Sequence, residues 1–416
     1  MPVEISRKTL AYFSPARPMR ERPKANFRVP QSHSLHIAPS ACNRRSVIWA
    51  IWRGNEENVS CLNITEADVV SGAYEDIVGD AVADLLDMLQ PQPRIFLLYL
   101  KCIDDFLGTD EEALLAGLRA RFPMLEFAVC HINPVSLEGK IMPGMLLLSR
   151  LYGFLKPSEI KDNGINYIGG SVRFHPQCEI HDLFRHLGLG PLRSLITCES
   201  IEDYHAMSQS RLTLVTSQAA ELAAQEVEKN AGVPFCRCFN RLNPQGIADN
   251  YRHIAEFLGK EAPDYTAAIA RAYADLAGTR AALGGMSVIL ASTPGGTFSV
   301  ARLLLEHGFN LKLIFAGRVF DIDREDYEWL REKHPEVSIE RDNSYKHIWG
   351  YGLEYESLTL GFEAARMLRT CHYVDFMPDE GFFGFHGLHK VLEMMREAVK
   401  TKADWPPQET PGKMPI

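Results

Sequence analysis

Short, continuously apolar segments alternate with helical patterns along this chain, and this alternation is the feature that most constrains its fold. In the first third, the apolar segments lie at residues 33–39, 57–65, 94–102 and 125–133. In a helical pattern between them, apolar residues recur at helical spacing: Ile77, Ala81, Val82, Leu85 and Leu89. Strands that are apolar on both faces are typical of parallel sheets covered by helices on both sides. The pattern therefore predicts an α/β fold with mainly parallel sheets.

The same pattern occurs twice more, which predicts three Rossmann-like domains. The segments GINYIGGSV, PLRSLITC and RLTLVTS belong to a second set of strands, and MSVILAS and LKLIFAG belong to a third. We expect the domains to cover residues 33–155, 156–280 and 281–405, with an extended amino-terminal arm at 1–32 and a Pro-rich tail at 406–416. In such sheets, ligands bind beyond the carboxyl ends of the strands.

Charge and hydropathy argue against several classes of function. The formal net charge of −9 disfavours nucleic acid or an anionic membrane as the main partner, because both select for patches of Lys and Arg. The sequence contains no apolar run of the roughly 18 to 20 residues that a membrane-spanning helix needs. Its basic amino terminus also lacks the apolar stretch of a signal peptide. We therefore expect a cytoplasmic protein. Its nine cysteines, an odd number, do not fit a disulfide framework.

Three of these cysteines are associated with three consecutive predicted strands. Cys42 follows the first strand, Cys61 lies at or near the end of the second, and Cys102 ends the third. Because the carboxyl ends of parallel strands meet at one edge, we expect the thiols to converge. Thiolates brought together suit an iron–sulfur cluster or zinc, and Arg44 and Arg45 would favour the thiolate of Cys42. The spacing matches neither a zinc ribbon nor a ferredoxin run, so three buried structural cysteines are the alternative.

Other motifs favour structural interpretations. Cys236 and Cys238 share one face of a predicted strand, but no second pair accompanies them. The Gly-rich turn of STPGGTFSVARLLLEHG could cradle an anion, yet it lacks the Walker lysine and the G-x-G-x-x-G pattern. His131 lies at a strand end, where it could line a cleft. The sequence shows no Ser-His-Asp or metalloprotease arrangement, so catalytic residues stay unassigned.

Six segments, spread over the chain from about residue 33, together carry a family resemblance. They are IAPSAC, VSCLNITEADVVSGAYEDIVG, LKCIDDFLGTD, INYIGG, RLTLVTSQAAELAAQEVEKNAGVPF and PDEGFFGFHGLHKVLEMM. The chain resembles the nitrogenase component 1 family, which includes reductases of tetrapyrroles and of methylthio-alkanes and scaffolds of cofactor assembly. It departs from the family pattern in two places. The first turn lacks the usual glycines, and Thr109 is inserted between Gly108 and Asp110.

The resemblance implies a metal site and a partner. In this family, the cysteines at the positions of Cys42, Cys61 and Cys102 ligate a cluster between two unlike subunits. We therefore expect these residues to hold an iron–sulfur cluster at a subunit interface of the first domain, either an 8Fe-7S cluster of the P-cluster type or a 4Fe-4S cluster. A homologous α/D-type catalytic subunit would supply the remaining ligands in an α2β2 heterotetramer. A separate ATP-dependent iron–sulfur reductase component would deliver the electrons.

The resemblance also implies that two cofactor ligands are missing. Catalytic nitrogenase subunits hold the iron–molybdenum cofactor with one Cys and one His, and those positions here are Ser217 and Val374 or Asp375. Residues near enough in sequence to replace them are Cys198, Cys236, Cys371, His372 and His386. The substitutions predict the cluster-bearing, non-cofactor (β/K-type) subunit of a nitrogenase-like oxidoreductase, which relays electrons to an active site held mainly by its partner.

The substrate is open at this level. The short chain and the missing ligands favour a reductase that cleaves the C–S bond of methylthio-alkanes. The alternatives are a subunit of a tetrapyrrole reductase and a scaffold for assembly of a nitrogenase-type cofactor. A further alternative is an α/β binding protein in which the cysteines are merely buried.

Overall fold

The computed structural model describes most of the chain. The described residues are 28–132, 141–291, 293–341, 356–376 and 381–405. The predicted tail at 406–416 lies outside them, as do residues 1–27 of the predicted arm and residues 378–380 of the predicted closing segment.

Four parallel strands form the first sheet, in the spatial order β2-β1-β3-β4, and they match the four predicted strands. They are β1 Ser32–Ala38, β2 Val59–Asn63, β3 Ile95–Lys101 and β4 Glu126–Ile132. The helices between and beside them are α1 Ser40–Arg53, α2 Glu66–Ser71, α3 Tyr74–Met88, α4 Cys102–Leu107 and α5 Glu111–Arg121. The short helices α2 and α4 were not predicted.

Burial on both faces explains why β3 is continuously apolar. Phe96, Leu98 and Leu100 pack into one core cluster with side chains of α3 and α5. Ile95 and Leu97 point to the opposite face and belong to a second cluster. A central parallel strand of this kind leaves no position at which a polar residue would meet solvent.

The strand order of this sheet reverses between β1 and β3. The chain passes from β1 to β2 on one side, then returns to β3 on the other side of β1. Right-handed crossovers accordingly place α1 on one face of the sheet and α3 and α5 on the other. The carboxyl ends of β1 and β3 therefore flank a crevice, the position at which open α/β sheets bind ligands.

The second sheet is also parallel, with the order β6-β5-β7-β8. Its strands are β5 Ile165–Ile168, β6 Leu192–Arg193, β7 Leu212–Val215 and β8 Phe235–Arg237. The helices in this stretch of the chain are α6 Pro143–Arg150, α7 Ile180–His186, α8 Ile201–Ala206 and α9 Glu221–Ala231.

The predicted strand PLRSLITC is wrong in extent, because only Leu192–Arg193 pairs with β5. A short 3-10 turn at Leu195–Thr197 follows. The carbonyl of Ser194 accepts hydrogen bonds from the Thr197 N–H at 2.9 Å and from the Thr197 hydroxyl at 2.8 Å. The Ser194 carbonyl is therefore hydrogen-bonded within the turn, whereas in a longer edge strand it would be available for pairing with the sheet.

The third sheet has five parallel strands in the order β11-β10-β9-β12-β13. The strands are β9 Ser287–Leu290, β10 Asn310–Phe315, β11 Ser338–Glu340, β12 Ser357–Leu360 and β13 His372–Val374. The helices are α10 Pro244–Phe257, α11 Thr266–Leu283, α12 Thr297–Glu306, α13 Arg324–Lys333, α14 Phe362–Leu368 and α15 Gly384–Ala398.

The described residues form two compact units. One holds the first two sheets and consists of residues 28–173 and 184–239. The other holds the third sheet and consists of residues 174–183 and the described residues from 240 onward. Three parallel-only sheets with flanking helices confirm the predicted α/β class, while the predicted domain boundaries stay a prediction. Among the described residues, no helix is both long enough and apolar enough to cross a membrane.

Candidate metal centre

Cys102 is placed by a capped turn at the end of β3. The strand ends at Lys101, and Cys102 is the first residue of α4. The carboxylate of Asp104, which is only 2% exposed, accepts a hydrogen bond from the Lys101 N–H at 2.8 Å. A carboxylate at the third helical position thus satisfies the backbone donor just before the helix. Gly108, in the left-handed region at φ 66°, then ends the helix. Asp104 therefore belongs to the turn that places Cys102.

Asp105 has a supporting role of the same kind. Its Oδ1 lies 2.9 Å from Nε2 of His131, at ion-pair distance. Nδ1 of the same ring is hydrogen-bonded to Glu111 at 2.8 Å. His131 therefore links the carboxylates of α4 and α5. This bridge gives the residue a structural role, and Asp105 helps to hold the helix that begins with Cys102.

Cys42 is exposed in the first turn of α1, next to a residue that fixes this helix. The side chain of Asn43 is 2% exposed, and its amide nitrogen lies 2.9 Å from the Ala38 carbonyl, 3.0 Å from the Leu62 carbonyl and 3.0 Å from Asn63 Oδ1. These acceptors stand at the carboxyl ends of β1 and β2. Asn43 therefore ties the helix that carries Cys42 to the strand that carries Cys61.

Cys61 lies within β2, two residues before the strand ends, and is half-buried. It is paired in register with His36, which is paired in turn with Tyr99. The rings of His36 and Tyr99 stack with centroids 4.3 Å apart. Register partners point to the same face of a sheet, so these three side chains form a row on one face. Burial raises the pKa of the Cys61 thiol, and the charge of Lys101 acts in the opposite direction.

One ammonium group lies within electrostatic range of all three predicted ligands. Burial lowers the pKa of Lys101, and the thiols of Cys61, Cys42 and Cys102 each act to raise it. The three thiols therefore lie in one neighbourhood, at the edge of the sheet where β1, β2 and β3 end. Neither Lys101 nor Asn43 was predicted from the sequence, although Lys101 is the one charged residue in the segment Ile95–Lys101.

The donor set fits a cluster better than a single metal ion. Among the described residues, no group of three or more His, Cys, Asp or Glu side chains is arranged to hold one ion. In an iron–sulfur cluster, thiolates can bind different irons, so they stand farther apart than the ligands of one ion. Three soft thiols grouped around a cation match the preference of iron–sulfur clusters for thiolate ligands.

The positions of the missing cofactor ligands hold no soft donor. Ser217 follows β7, and Gly169 follows the neighbouring strand β5. Gly169 has φ 126°, and a Cβ built there would lie 2.6 Å from Thr216 Oγ1 and 2.8 Å from the Ser217 nitrogen. The backbone is therefore closely packed at this point. Val374 is buried at the end of β13, and Asp375 follows it.

The sequence neighbours of these positions are engaged in local contacts. Cys198 is half-buried and donates to the Ser194 carbonyl at 3.3 Å, and burial raises its pKa to about 12. Cys236 and Cys371 are buried. Nδ1 of His372 lies 3.0 Å from the Ala398 carbonyl and 3.1 Å from that of Thr401. The last of them, His386, stacks on His175 with ring centroids 4.3 Å apart. Cys238, which was considered together with Cys236, is also buried.

The Gly-rich turn before α12 has a packing reason for its glycines. Gly295 and Gly296 have φ values of 88° and 86°, a region that favours glycine. A Cβ at Gly295 would lie 2.8 Å from Leu242 Cγ. The turn therefore needs glycine for its backbone shape and close packing, in line with the structural interpretation.

Comparisons with known proteins agree with this architecture. Two solved structures titled "Nitrogenase Cp1" match over 95% of this chain. The structure at pH 6.5 has a TM-score of 0.68 and 18% identity, with 94% of its chain covered. The structure at pH 5 has a TM-score of 0.56 and 12% identity, with 90% of its chain covered. At these identities the similarity shows a shared fold.

The sequence itself matches a family model over residues 28–350, most of the chain. That model describes nitrogenase component 1 type oxidoreductases. The match includes the first two sheets, the three thiols and Lys101. This chain therefore belongs to the nitrogenase component 1 type oxidoreductase family.

Proposed function

We propose that this chain is the cluster-bearing, non-cofactor (β/K-type) subunit of a nitrogenase-like reductase. The observation that carries the proposal is the position of Cys42, Cys61 and Cys102 at or near the carboxyl ends of β1, β2 and β3, three neighbouring strands of one parallel sheet. The presence of Ser217 where catalytic subunits carry a cofactor thiolate supports the same assignment. A subunit with the first site and without the second is suited to electron transfer rather than to substrate reduction.

The three cysteines would hold an iron–sulfur cluster, of the 8Fe-7S or the 4Fe-4S type, which supplies reversible one-electron storage. Asn43 keeps the helix of Cys42 against the strand of Cys61, and Asp104 holds the turn of Cys102. These residues would keep the thiols in fixed positions. The protein around the cluster would then rearrange little when the cluster gains or loses an electron. The chain would then relay electrons from an ATP-dependent iron–sulfur reductase component to an active site held mainly by the partner.

Exposed apolar side chains support a partner subunit at this site. The helices α1 and α4 contain Cys42 and Cys102 in their first turns, and α2 follows Cys61 closely along the chain. They carry six large apolar residues that are exposed: Val47, Ile48, Ile51, Val70, Phe106 and Leu107. Grouped exposed apolar residues mark protein interfaces. Three thiolates also leave a multi-iron cluster incompletely ligated, so a homologous α/D-type subunit would complete it in a heterotetramer.

For the substrate class, we propose reductive cleavage of the C–S bond of methylthio-alkanes. The proposal rests on the missing cofactor ligands, because Ser217 and Val374 or Asp375 stand at their positions. The competing assignments, a tetrapyrrole reductase and an assembly scaffold, predict different results in a turnover assay. A scaffold would carry the cluster without turnover, and a tetrapyrrole reductase would not act on methylthio-alkanes.

The test is iron and sulfide analysis of the complex, purified anaerobically with its co-purifying subunit. We expect each of Cys42→Ala, Cys61→Ala and Cys102→Ala to lose most of the iron. Cys198→Ala is the matched control, since Cys198 is half-buried in the same unit, and it should keep full iron. Low iron that is unchanged by the three site variants would contradict the cluster assignment. Turnover with the reductase component, ATP and a methylthio-alkane then tests the role as a relay.

A further inference from the structure

Lys101 is a charged residue in an otherwise apolar strand, and hydrogen bonds hold both its backbone and its side-chain ammonium. Its backbone is adjacent to Cys102, and its N–H is held by Asp104. Its side chain is half-buried, and Nζ donates to Ser46 Oγ at 2.9 Å. Ser46 lies on α1 one helical turn after Cys42, a spacing that places the two residues on the same face of the helix. The ammonium therefore bridges the segments that carry two of the three thiols.

The ammonium of Lys101 has no carboxylate partner in the part of the chain that the structure describes. No Asp or Glu there lies within ion-pair distance of Nζ, and its hydrogen bond goes to the hydroxyl of Ser46. Buried lysines are rare unless they are paired. Lys101 therefore stands without the carboxylate that usually accompanies a half-buried lysine, beside the segments that carry Cys42 and Cys102.

This arrangement is suited to balance negative charge. A cluster held by three thiolates brings net negative charge into a partly buried site, and the effective interaction between charges is stronger there than in water. The reduction potential of an iron–sulfur cluster depends on net charge, on hydrogen bonds to sulfur and on solvent exposure. A nearby fixed cation favours the reduced form, because reduction adds a negative charge.

We propose that Lys101 is a positioning residue whose fixed positive charge compensates the three thiolates and raises the reduction potential of the cluster that they hold. The inference rests on the proposed function, because it requires a cluster at this site. It adds a residue to that site that is not a ligand. The hydroxyl of Ser46 holds the ammonium near the thiols, so charge and position are separable by mutation.

The experiment compares Lys101→Met and Lys101→Arg in the anaerobically purified complex. Lys156→Met is the control, since Lys156 is an exposed lysine of the same unit that pairs with Glu126 at 2.8 Å. The measurements are iron per chain and the midpoint potential from a redox titration followed by EPR. We expect a more negative midpoint for Lys101→Met, and values near wild type for Lys101→Arg and Lys156→Met.

Iron content separates a charge role from a packing role. Loss of iron in Lys101→Met that Lys101→Arg restores supports charge compensation. Equal loss in both variants overturns it, because the need would then be for the shape of lysine. Full iron with an unchanged or more positive midpoint in Lys101→Met also overturns it. Neither result affects the proposed function, which fails instead if the wild-type complex carries no iron.

Discussion

The carboxylate of Asp104 accepts the Lys101 N–H at 2.8 Å, and this bond joins the last residue of a buried strand to the turn that presents Cys102. Asp104 is itself buried, so its carboxylate acts as a local cap instead of facing a substrate. The relationship makes the position of one predicted ligand depend on a residue that cannot ligate a soft metal well.

Replacing Asp104 with Ala should therefore destabilise the chain. The loss of a capping hydrogen bond costs about 1–2 kcal/mol in the free energy of unfolding. Urea unfolding of the metal-free chain measures the difference, and Asp104→Asn should lose less because it keeps an acceptor. Asp84→Ala, at an exposed position on α3, is the control and should leave the free energy of unfolding nearly unchanged. Equal stability of Asp104→Ala and wild type would show that the bond is dispensable.

A second prediction concerns Asn43. Asn43→Asp keeps the shape of the side chain but removes the donors that face the Ala38 and Leu62 carbonyls. Buried acceptors left without a donor cost about 1–3 kcal/mol in the free energy of unfolding, and the new carboxylate adds repulsion. Thermal unfolding measures the loss. Asn163→Asp is the control, because Asn163 is exposed and its Oδ1 already accepts from Arg211 at 3.5 Å.

Asn43→Asp should also lower iron content, since this residue ties the helix of Cys42 to β2. If the variant were as stable as the wild type, the three short contacts of Asn43 would not contribute to folding. If it were destabilised but fully loaded with iron, Asn43 would stabilise the fold without positioning Cys42.

The third prediction is a pH dependence of stability. Burial lowers the pKa of His36 to about 3, and the charges of Lys101 and His33 add to this effect. Burial, with the charge of Arg28, lowers the pKa of His33 to about 4. An unfolded histidine has a pKa near 6.5. Between the folded and unfolded values, the unfolded chain binds more protons, so stability falls as the pH falls from about 6.5 toward 4.

Because of His36, which is buried, the free energy of unfolding changes by at most about 1.4 kcal/mol per pH unit in this window. Urea midpoints of the metal-free chain at several pH values from 7.5 to 4.5 measure it. His36→Gln should flatten the curve, since glutamine does not titrate. His205→Gln, on the short helix α8, is a control that should follow the wild-type curve. A wild-type slope retained in His36→Gln would mean that His36 accepts a proton in the folded chain.

The fourth prediction tests the apolar surface next to the thiols. Phe106 is 76% exposed on α4, four residues after Cys102. Phe106→Asp should leave the isolated chain folded but reduce binding of the partner subunit by at least tenfold, because an interface core excludes charge. Binding is measured by co-purification and by analytical ultracentrifugation. Met124→Asp, at a position 89% exposed before β4, is the matched control. Equal binding by both variants would place the interface elsewhere.

Local pattern was enough to predict β3. The segment Ile95–Lys101 is apolar on both faces, whereas the short helix α4 that begins at Cys102 was not predicted. The proximity of Cys61 to the other thiols was predicted from the carboxyl ends of three consecutive parallel strands and from the family resemblance. Cys61 lies two residues before the end of β2, and the end of that strand depends on where pairing with β1 stops.

The supporting contacts could not be predicted in the same way. Lys101 reaches Ser46 across 55 positions of sequence, and Asn43 reaches Leu62 across 19. Both contacts depend on the register of neighbouring strands and on the face that carries α1. No local pattern encodes those quantities. The short edge strand β6 was overestimated for a related reason, because the carbonyl of Ser194 is used by a turn that apolar content alone does not reveal.

The three thiols stand outside the apolar clusters that stabilise the first two sheets. Cys42 is exposed and Cys61 and Cys102 are half-buried, whereas Cys130 is fully buried among core residues. The proposed ligands and the core residues are thus different residues of one sheet. Substitutions of the three cysteines at the strand ends should therefore change the proposed metal site while leaving the apolar clusters of the scaffold intact.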